Sequence, residues 1–234
     1  KAWSTYGGRV GVWRIIRNLD ELQVPGTFFV NAQCAELYPE ATRQIVRSGH
    51  DVAGHAYTQD GLLTYMEPKE EQATIVKSLE LLGERTGKAP TGWLTPVLAF
   101  TPHTVEFLAQ AKLAWHADVT YADLPHRIRT RHGVIAGVPM TDFSDNRVLR
   151  SSPRDLLDVY KDSFDYLYRK EPMSMLTLTL HCHFGGRPMI ISVFEQIIRY
   201  IAQFPGVWFA RHEELGRWAL EAEVDEHSYA QRYF

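Results

Sequence analysis

Short β-branched, apolar runs alternate with amphipathic stretches of helical length along almost the whole chain, and this rhythm restricts the fold more than any single motif. Val12, Ile15, Ile16 and Leu19 recur at helical spacing, so a helix is expected over 10–22, broken by Val24-Pro25-Gly26. Thr27-Phe28-Phe29-Val30 then reads as a buried strand. A helix over 39–48, a strand over 51–55 and a long helix over 68–86 stopped by Gly87 follow. Extended segments are expected at 91–95 and 114–118, with a helix over 102–111 separating them. From 121 to 150 the pattern weakens to one strand over 134–138 among loops. Ser152 caps and Pro153 opens a further helix, whose buried side carries Leu156, Leu157, Tyr160, Phe164 and Leu167. The Thr/Leu alternation over 173–180 reads as the clearest strand of the chain. Helices over 188–204 and 212–222, a short strand over 206–209 and a polar tail over 223–234 complete the pass.

Strands and helices that alternate in this way imply βαβ crossovers and a mostly parallel sheet, an α/β fold. One domain over 1–222 with a tail over 223–234 is the economical organisation. In such folds ligands bind at the C-terminal ends of the strands. That rule singles out Asn31, His55, Thr95-Pro96, Asp118, and His181 with His183.

Composition removes several function classes. The 234 residues include 25 basic and 28 acidic side chains, a net charge of -3, with no basic stripe, so neither nucleic acid nor an anionic membrane is an expected partner. Hydrophobic residues at 45% leave enough apolar surface for a core without disulfides or a structural metal. The two cysteines, Cys34 and Cys182, are far apart, form no C-x-x-C clip, and read as reduced thiols of a cytoplasmic protein. The sequence contains no run of about 18 apolar residues and opens at Lys1 without a basic, apolar leader, so either the protein stays inside the cell or its true N-terminus lies upstream.

His181-Cys182-His183 directly follows the strongest strand pattern. Two histidines two residues apart on an extended segment point the same way and can reach one substrate or one metal. His55 ends the second strand and is a candidate for chemistry; His50, at the other end of it, reads as structural. Trp93, at a strand end, suits stacking on a flat ring but equally suits core packing. Asp118 and Asp123 are the rim carboxylates best placed as base or orienter, whereas Asp142 and Asp145 read as solvated loop acids. Arg187, before Pro188 at a helix start, offers a guanidinium beside backbone N–H groups for an anion or a polarised carbonyl, or else a surface ion pair. Without a P-loop, G-x-G-x-x-G, H-E-x-x-H or G-x-S-x-G motif, hydrolysis by activated water is the simplest chemistry for a rim of His and Asp.

Several segments together resemble the polysaccharide deacetylase family, in particular its cytoplasmic subgroup of allantoinases, cyclic imidases and an atypical peptidoglycan-deacetylase-like enzyme. They are Tyr6-Gly7-Gly8-Arg9-Val10-Gly11-Val12-Trp13-Arg14, Gly26-Thr27-Phe28-Phe29-Val30, Gly49-His50-Asp51-Val52-Ala53-Gly54-His55, Thr86-Gly87-Lys88-Ala89-Pro90-Thr91-Gly92-Trp93, Asp123-Leu124-Pro125 and Leu180-His181-Cys182-His183-Phe184-Gly185-Gly186-Arg187-Pro188. The resemblance implies a distorted (β/α) barrel of about seven strands, fewer than the eight-stranded form. It also implies a divalent metal, usually zinc, held by one Asp and two His. The first His matches His55, but Gln59 stands where the second belongs. The Asp belongs to an early strand that would precede Tyr6, so an N-terminal segment carrying it is expected to be missing. Zinc in a catalytic site takes three protein ligands, so the inherited set is incomplete unless His181 or His183 replaces a ligand. The family's late histidine, a general acid toward the leaving nitrogen, maps onto His181; its Arg-x-Pro segment corresponds to Leu94-Thr95-Pro96, which lacks the Arg.

These departures favour the allantoinase or imidase side over sugar deacetylation: a hydrolase of non-peptide carbon–nitrogen bonds that opens a cyclic ureide or imide, or removes an N-acyl group, by water attack. His55, His181 and Asp118 are then the expected catalytic residues, and Trp93, Asp123, His183 and Arg187 the expected substrate contacts. The alternatives are a zinc-dependent deacetylase of N-acetylated sugars and an inactive relative serving as a binding or assembly subunit. A small-molecule substrate, no nucleotide cofactor and a homotetramer are implied alongside. The reading requires His55 and His181 to converge on one cavity.

Overall fold

The computed structural model describes residues 2–141, 143–148 and 151–233; Asp142 lies outside them. The chain forms two compact units, each from two separate stretches: Lys1–Pro25 with Thr141–Phe209, and Gly26–Met140 with Ala210–Phe234. We call them the helix unit and the strand unit.

The strand unit holds one sheet of six strands: β1 (Thr27–Val30), β2 (Asp51–Gly54), β3 (Gly92–Trp93), β4 (Trp115–His116), β5 (His126–Thr130) and β6 (Gly133–Gly137). Their order is β1-β2-β3-β4-β6-β5. All neighbours are parallel except the β5–β6 hairpin. β2 is buried along its whole length, as a parallel strand covered on both faces should be. Gly92 is required by the sheet itself, since a Cβ there would stand 1.9 Å from the Trp115 ring. Leu63, Ile75, Trp93, Leu108, Leu113 and Ile135 form the core. Helix Pro68–Thr86 begins with proline in its first turn and ends at Gly87 in the left-handed conformation (φ 75°), matching its sequence punctuation. The extended segments expected at 91–95 and 114–118 shrink to two-residue strands, and the helix over 102–111 to Thr104–Gln110. β5 was not expected. It borrows its order from β6 and from the tail, where the Arg127 N–H donates to the Val224 carbonyl and the Arg127 guanidinium pairs with Asp225. The tail thus pairs with β5 and ends in the helix Tyr229–Tyr233.

The helix unit packs Pro153–Lys170 and Pro188–Ile201 through Leu156, Tyr160, Phe164, Ile190, Val193, Ile197 and Ile201. The Ser152 hydroxyl accepts the Arg154 N–H at the start of the first of these helices, so the proposed cap forms. At the N-terminal side, helix Ala2–Tyr6 runs through a π-helical turn, Gly7–Gly11, into helix Val12–Leu22.

The structure corrects the reading of 173–180. Among the described residues that run makes one bridge, Thr179 with Ser144, and no strand. Two of its N–H groups go to side chains instead: Thr177 donates to Thr141 Oγ1 (3.1 Å) and Thr179 to Tyr160 Oη (3.1 Å). Leu176, Leu178 and Leu180 pack on the unit's core. Alternation reported that burial; it did not supply a neighbouring strand to pair with. The short strand expected over 206–209 is likewise absent from the described structure, and Val207 and Phe209 serve the same core.

Candidate active site

In the helix unit the chain turns helical immediately after His181, over Cys182–Gly185. The two histidines therefore do not sit on one extended segment. His181 remains extended (φ -96°, ψ 130°) and His183 lies in the turn, with ring centroids 5.9 Å apart and edge to face. Asp145, in the short 3₁₀ turn Asp145–Val148, is fully buried. One of its oxygens accepts the His181 backbone N–H (2.8 Å) and the other meets His181 Nδ1 (2.6 Å). The carboxylate fixes the Nδ1–H tautomer and the plane of the ring, and aims Nε2 away from itself. The His181 side chain keeps 39% of its surface exposed while its partner keeps none. A half-exposed imidazole gripped by a buried carboxylate is the arrangement a proton-transfer residue needs. Asp145 is thus a correction, because it was expected to be a solvated loop acid. Its residue type was the one available signal, since its partner lies far along the chain.

Gly185 allows this contact, because a Cβ there would stand 2.9 Å from Asp145 Oδ2. His183 is half-buried; its pKa is lowered, first by burial, then by the charges of His181 and Arg187. The Arg187 guanidinium lies 4.2 Å over the Tyr6 ring, and its Nε donates to the His183 carbonyl (3.0 Å).

In the strand unit, His55, Trp93 and Asp118 gather around the C-terminal ends of β2, β3 and β4. His55 Nδ1 donates to the Leu94 carbonyl (2.6 Å); a carbonyl only accepts, so the hydrogen is on Nδ1. The Asn31 amide donates to the His55 carbonyl. Asp118 is buried, and its oxygens accept from the Thr95 N–H and the Thr95 hydroxyl, both at 2.7 Å. Burial pushes its pKa up to about 6, against the lowering effect of those two bonds. Asp118 therefore braces the end of β3 rather than facing solvent as a base. Trp93 is wholly buried in the core and its Nε1–H donates to Thr95 Oγ1 (3.0 Å), so it shows no ring face to a ligand, and the stacking role is corrected. Asp123 is exposed. His50 is buried, its Nδ1 accepting the Gly26 N–H (3.2 Å). His116 and His212 are buried too, and desolvation lowers each to about 4, which keeps both rings neutral.

The residues present do not fit a family-type metal centre. His55, whose Nδ1 donates to the Leu94 carbonyl, could offer an ion its Nε2, but Gln59 stands exposed where the second histidine belongs. Among the described residues no three His, Cys, Asp or Glu side chains are grouped so as to hold an ion. Cys34 and Cys182 are not joined in a disulfide. Among the same residues no helix is long and apolar enough to cross a membrane.

The comparisons agree with this fold. The sequence profile of the family described as polysaccharide deacetylase matches residues 6–115. A peptidoglycan deacetylase of Helicobacter pylori is 26% identical over 90% of this chain and 84% of its own. The crystal structure of a probable polysaccharide deacetylase from Pseudomonas aeruginosa PAO1 is 30% identical, covering 96% of this chain and 77% of that one with a TM-score of 0.87. The crystal structure of the PuuE allantoinase is 28% identical, covering 95% and 76% with a TM-score of 0.88. Fold and relatives together define the class, hydrolases of carbon–nitrogen bonds other than peptide bonds. Within it, the chain belongs to the polysaccharide deacetylase family.

Proposed function

We propose that this chain opens a small cyclic amide, a ureide or imide, or removes an N-acyl group, by adding water to the carbonyl carbon. The observation that carries the reading is the His181–Asp145 pair, a half-exposed ring on a buried carboxylate. When the C–N bond of the tetrahedral adduct breaks, the leaving nitrogen needs a proton, and we assign its delivery to Nε2 of His181 in the imidazolium form, which is left as the neutral Nδ1–H ring. Asp145 holds the Nδ1–H and the plane of the ring both before and after that proton leaves. Arg187, held at its Nε and on one face, is assigned to the carbonyl oxygen as it gains charge, a contact of the kind worth roughly 3 kcal/mol. In the strand unit, His55 keeps its place as a candidate for chemistry, and Asp118 acts indirectly by fixing Thr95. His183, beside His181, remains a substrate contact in this reading, and Asp123 a candidate contact of the strand unit. The likeness to an allantoinase and the misfit of the metal ligands favour a ring amide over an N-acetylated sugar and over a zinc-dependent reaction. Family likeness also supports a cytoplasmic homo-oligomer, which fractionation and sedimentation test.

The experiment is hydrolysis of hydantoin, allantoin, dihydrouracil and succinimide, beside chitooligosaccharides, with and without chelator. Ring opening that chelator leaves unchanged, and that His181→Ala lowers about 10²-fold, is expected. Turnover of the sugars alone, or full activity of His181→Ala, overturns the assignment. No turnover of any amide favours the inactive-subunit alternative.

A further inference from the structure

The segment from Tyr6 to Arg14 is assigned no group that touches substrate, yet it carries a π-helical turn, Gly7–Gly11. A π-helical turn is rare and persists where its surroundings hold it. Here Gly7–Gly11 lies backbone to backbone against the histidine turn. A Cβ on Gly11 would stand 1.9 Å from the Cys182 carbonyl oxygen, and one on Gly186 would stand 2.3 Å from Gly11 Cα. Contact at that range leaves no side chain between the two backbones to absorb a shift.

Arg14, one turn into the next helix, fastens the contact. Its Nη1 donates to the Gly186 carbonyl (2.6 Å) and to Tyr6 Oη (2.6 Å), and Tyr6 Oη donates to the same carbonyl at 3.4 Å. Tyr6 in turn supports the Arg187 guanidinium on its ring face. The histidine turn is thus held at both ends. Asp145 grips its first residue, His181, whose carbonyl accepts the Phe184 and Gly185 N–H groups; Arg14 grips the Gly186 carbonyl that closes it.

We propose that Tyr6 and Arg14 are positioning residues, a clamp that sets the tilt of the histidine turn and so places His181 for proton transfer. The inference rests on the assignment of His181 above. Neither residue touches the reacting atoms; Arg14 acts through the turn, and Tyr6 through the turn and through the Arg187 guanidinium on its ring face. Asp145 fixes how the ring is rotated, whereas the clamp fixes where the ring is.

The test compares Tyr6→Phe, Tyr6→Leu, Arg14→Lys and Arg14→Met in the full chain, by kcat and KM on hydantoin and succinimide, melting temperature, and the proton resonance of His181 Nδ1–H. Arg14→Met and Tyr6→Leu are expected to lower kcat about tenfold or more with KM nearly unchanged. Tyr6→Phe, which keeps the ring, and Arg14→Lys, which keeps a donor, are expected to recover most of that loss. Arg14→Met is also expected to move the His181 resonance, and to cost nothing further in a His181→Gln background. An equal loss in that background, or a resonance that stays in place in Arg14→Met and Tyr6→Leu, overturns the clamp. If the wild-type chain opens no ring amide, the reaction assignment fails while the resonance still decides the clamp.

Discussion

Asp118 in the strand unit and Asp145 in the helix unit are the same device with different endings. Each is buried, and each binds one residue twice, through its backbone N–H and through its own side chain. At Asp118 that residue is Thr95, whose hydroxyl also receives the Trp93 indole N–H and is itself buried, so the chain of hydrogen bonds stops in the core. At Asp145 it is His181, and an imidazole has a second nitrogen on its far side. The buried charge is then transmitted to a ring that reaches solvent. A buried carboxylate does not itself mark a catalytic group; what decides is whether its partner can pass a proton onward.

Asparagine at the two positions breaks the symmetry most strongly. Asp145→Asn puts an N–H donor where His181 presents another, and the ring must change tautomer to recover a bond. Its kcat is expected to fall about 10²-fold or more with melting nearly unchanged. In Asp118→Asn the Thr95 hydroxyl simply rotates to accept, so a stability loss of about 1 kcal/mol and less than tenfold in kcat are expected from denaturant titration and kinetics. Equal kinetic losses would erase the distinction between brace and relay.

Acid sharpens it from the strand side. His116 and His212, lowered to about 4, contribute stability that is present above their ordinary value of 6.5 and lost as pH falls toward 4. Asp118, raised from 3.8 to about 6, has the opposite sign: its contribution is present below 3.8 and lost as pH rises through about 6. Two histidines outweigh one carboxyl, so urea midpoints should fall by the equivalent of a few kcal/mol, roughly 2–4, between pH 6.5 and 4. His212→Phe keeps a ring against Phe29 and Trp115 and should flatten that slope. An unchanged slope would remove His212 from the account.

The smallest effect concerns the turn that Asp118 braces. Val97 and Leu98 both take left-handed backbone, at φ 48° and 57°, where a β-branched side chain is strained. Val97→Gly is expected to raise stability by about 1 kcal/mol in thermal melts, because Val97 is exposed and little packing is lost. A loss of stability would show that the turn is held by packing of that side chain.

The parallel strands β1 and β2 and the helices Pro68–Thr86 and Pro153–Lys170 were legible because period, caps and stop residues agree locally. β5 was not, since its pairing partners are β6 and the tail. The 173–180 run misled because alternation records which side is buried and not whether a neighbour exists to take the hydrogen bonds. Among the candidate residues, His181 and His55 were visible as histidines after apolar runs, and Arg187 as a helix-start cation. Trp93 was ambiguous by type, and its burial settled it. Asp145, Tyr6 and Arg14 could not be assigned roles, because each acts on a group far along the chain.

The sequence by itself determined the local periods, the turns where glycine and proline stand, and the family whose order of segments it repeats. Those are properties of neighbours along a chain, where backbone sterics and side-chain spacing act over a few residues. Only the tertiary structure decided that one aspartate is a brace and another a handle for a histidine. A carboxylate's role is set by burial and by the donors that reach it, and long-range packing supplies both.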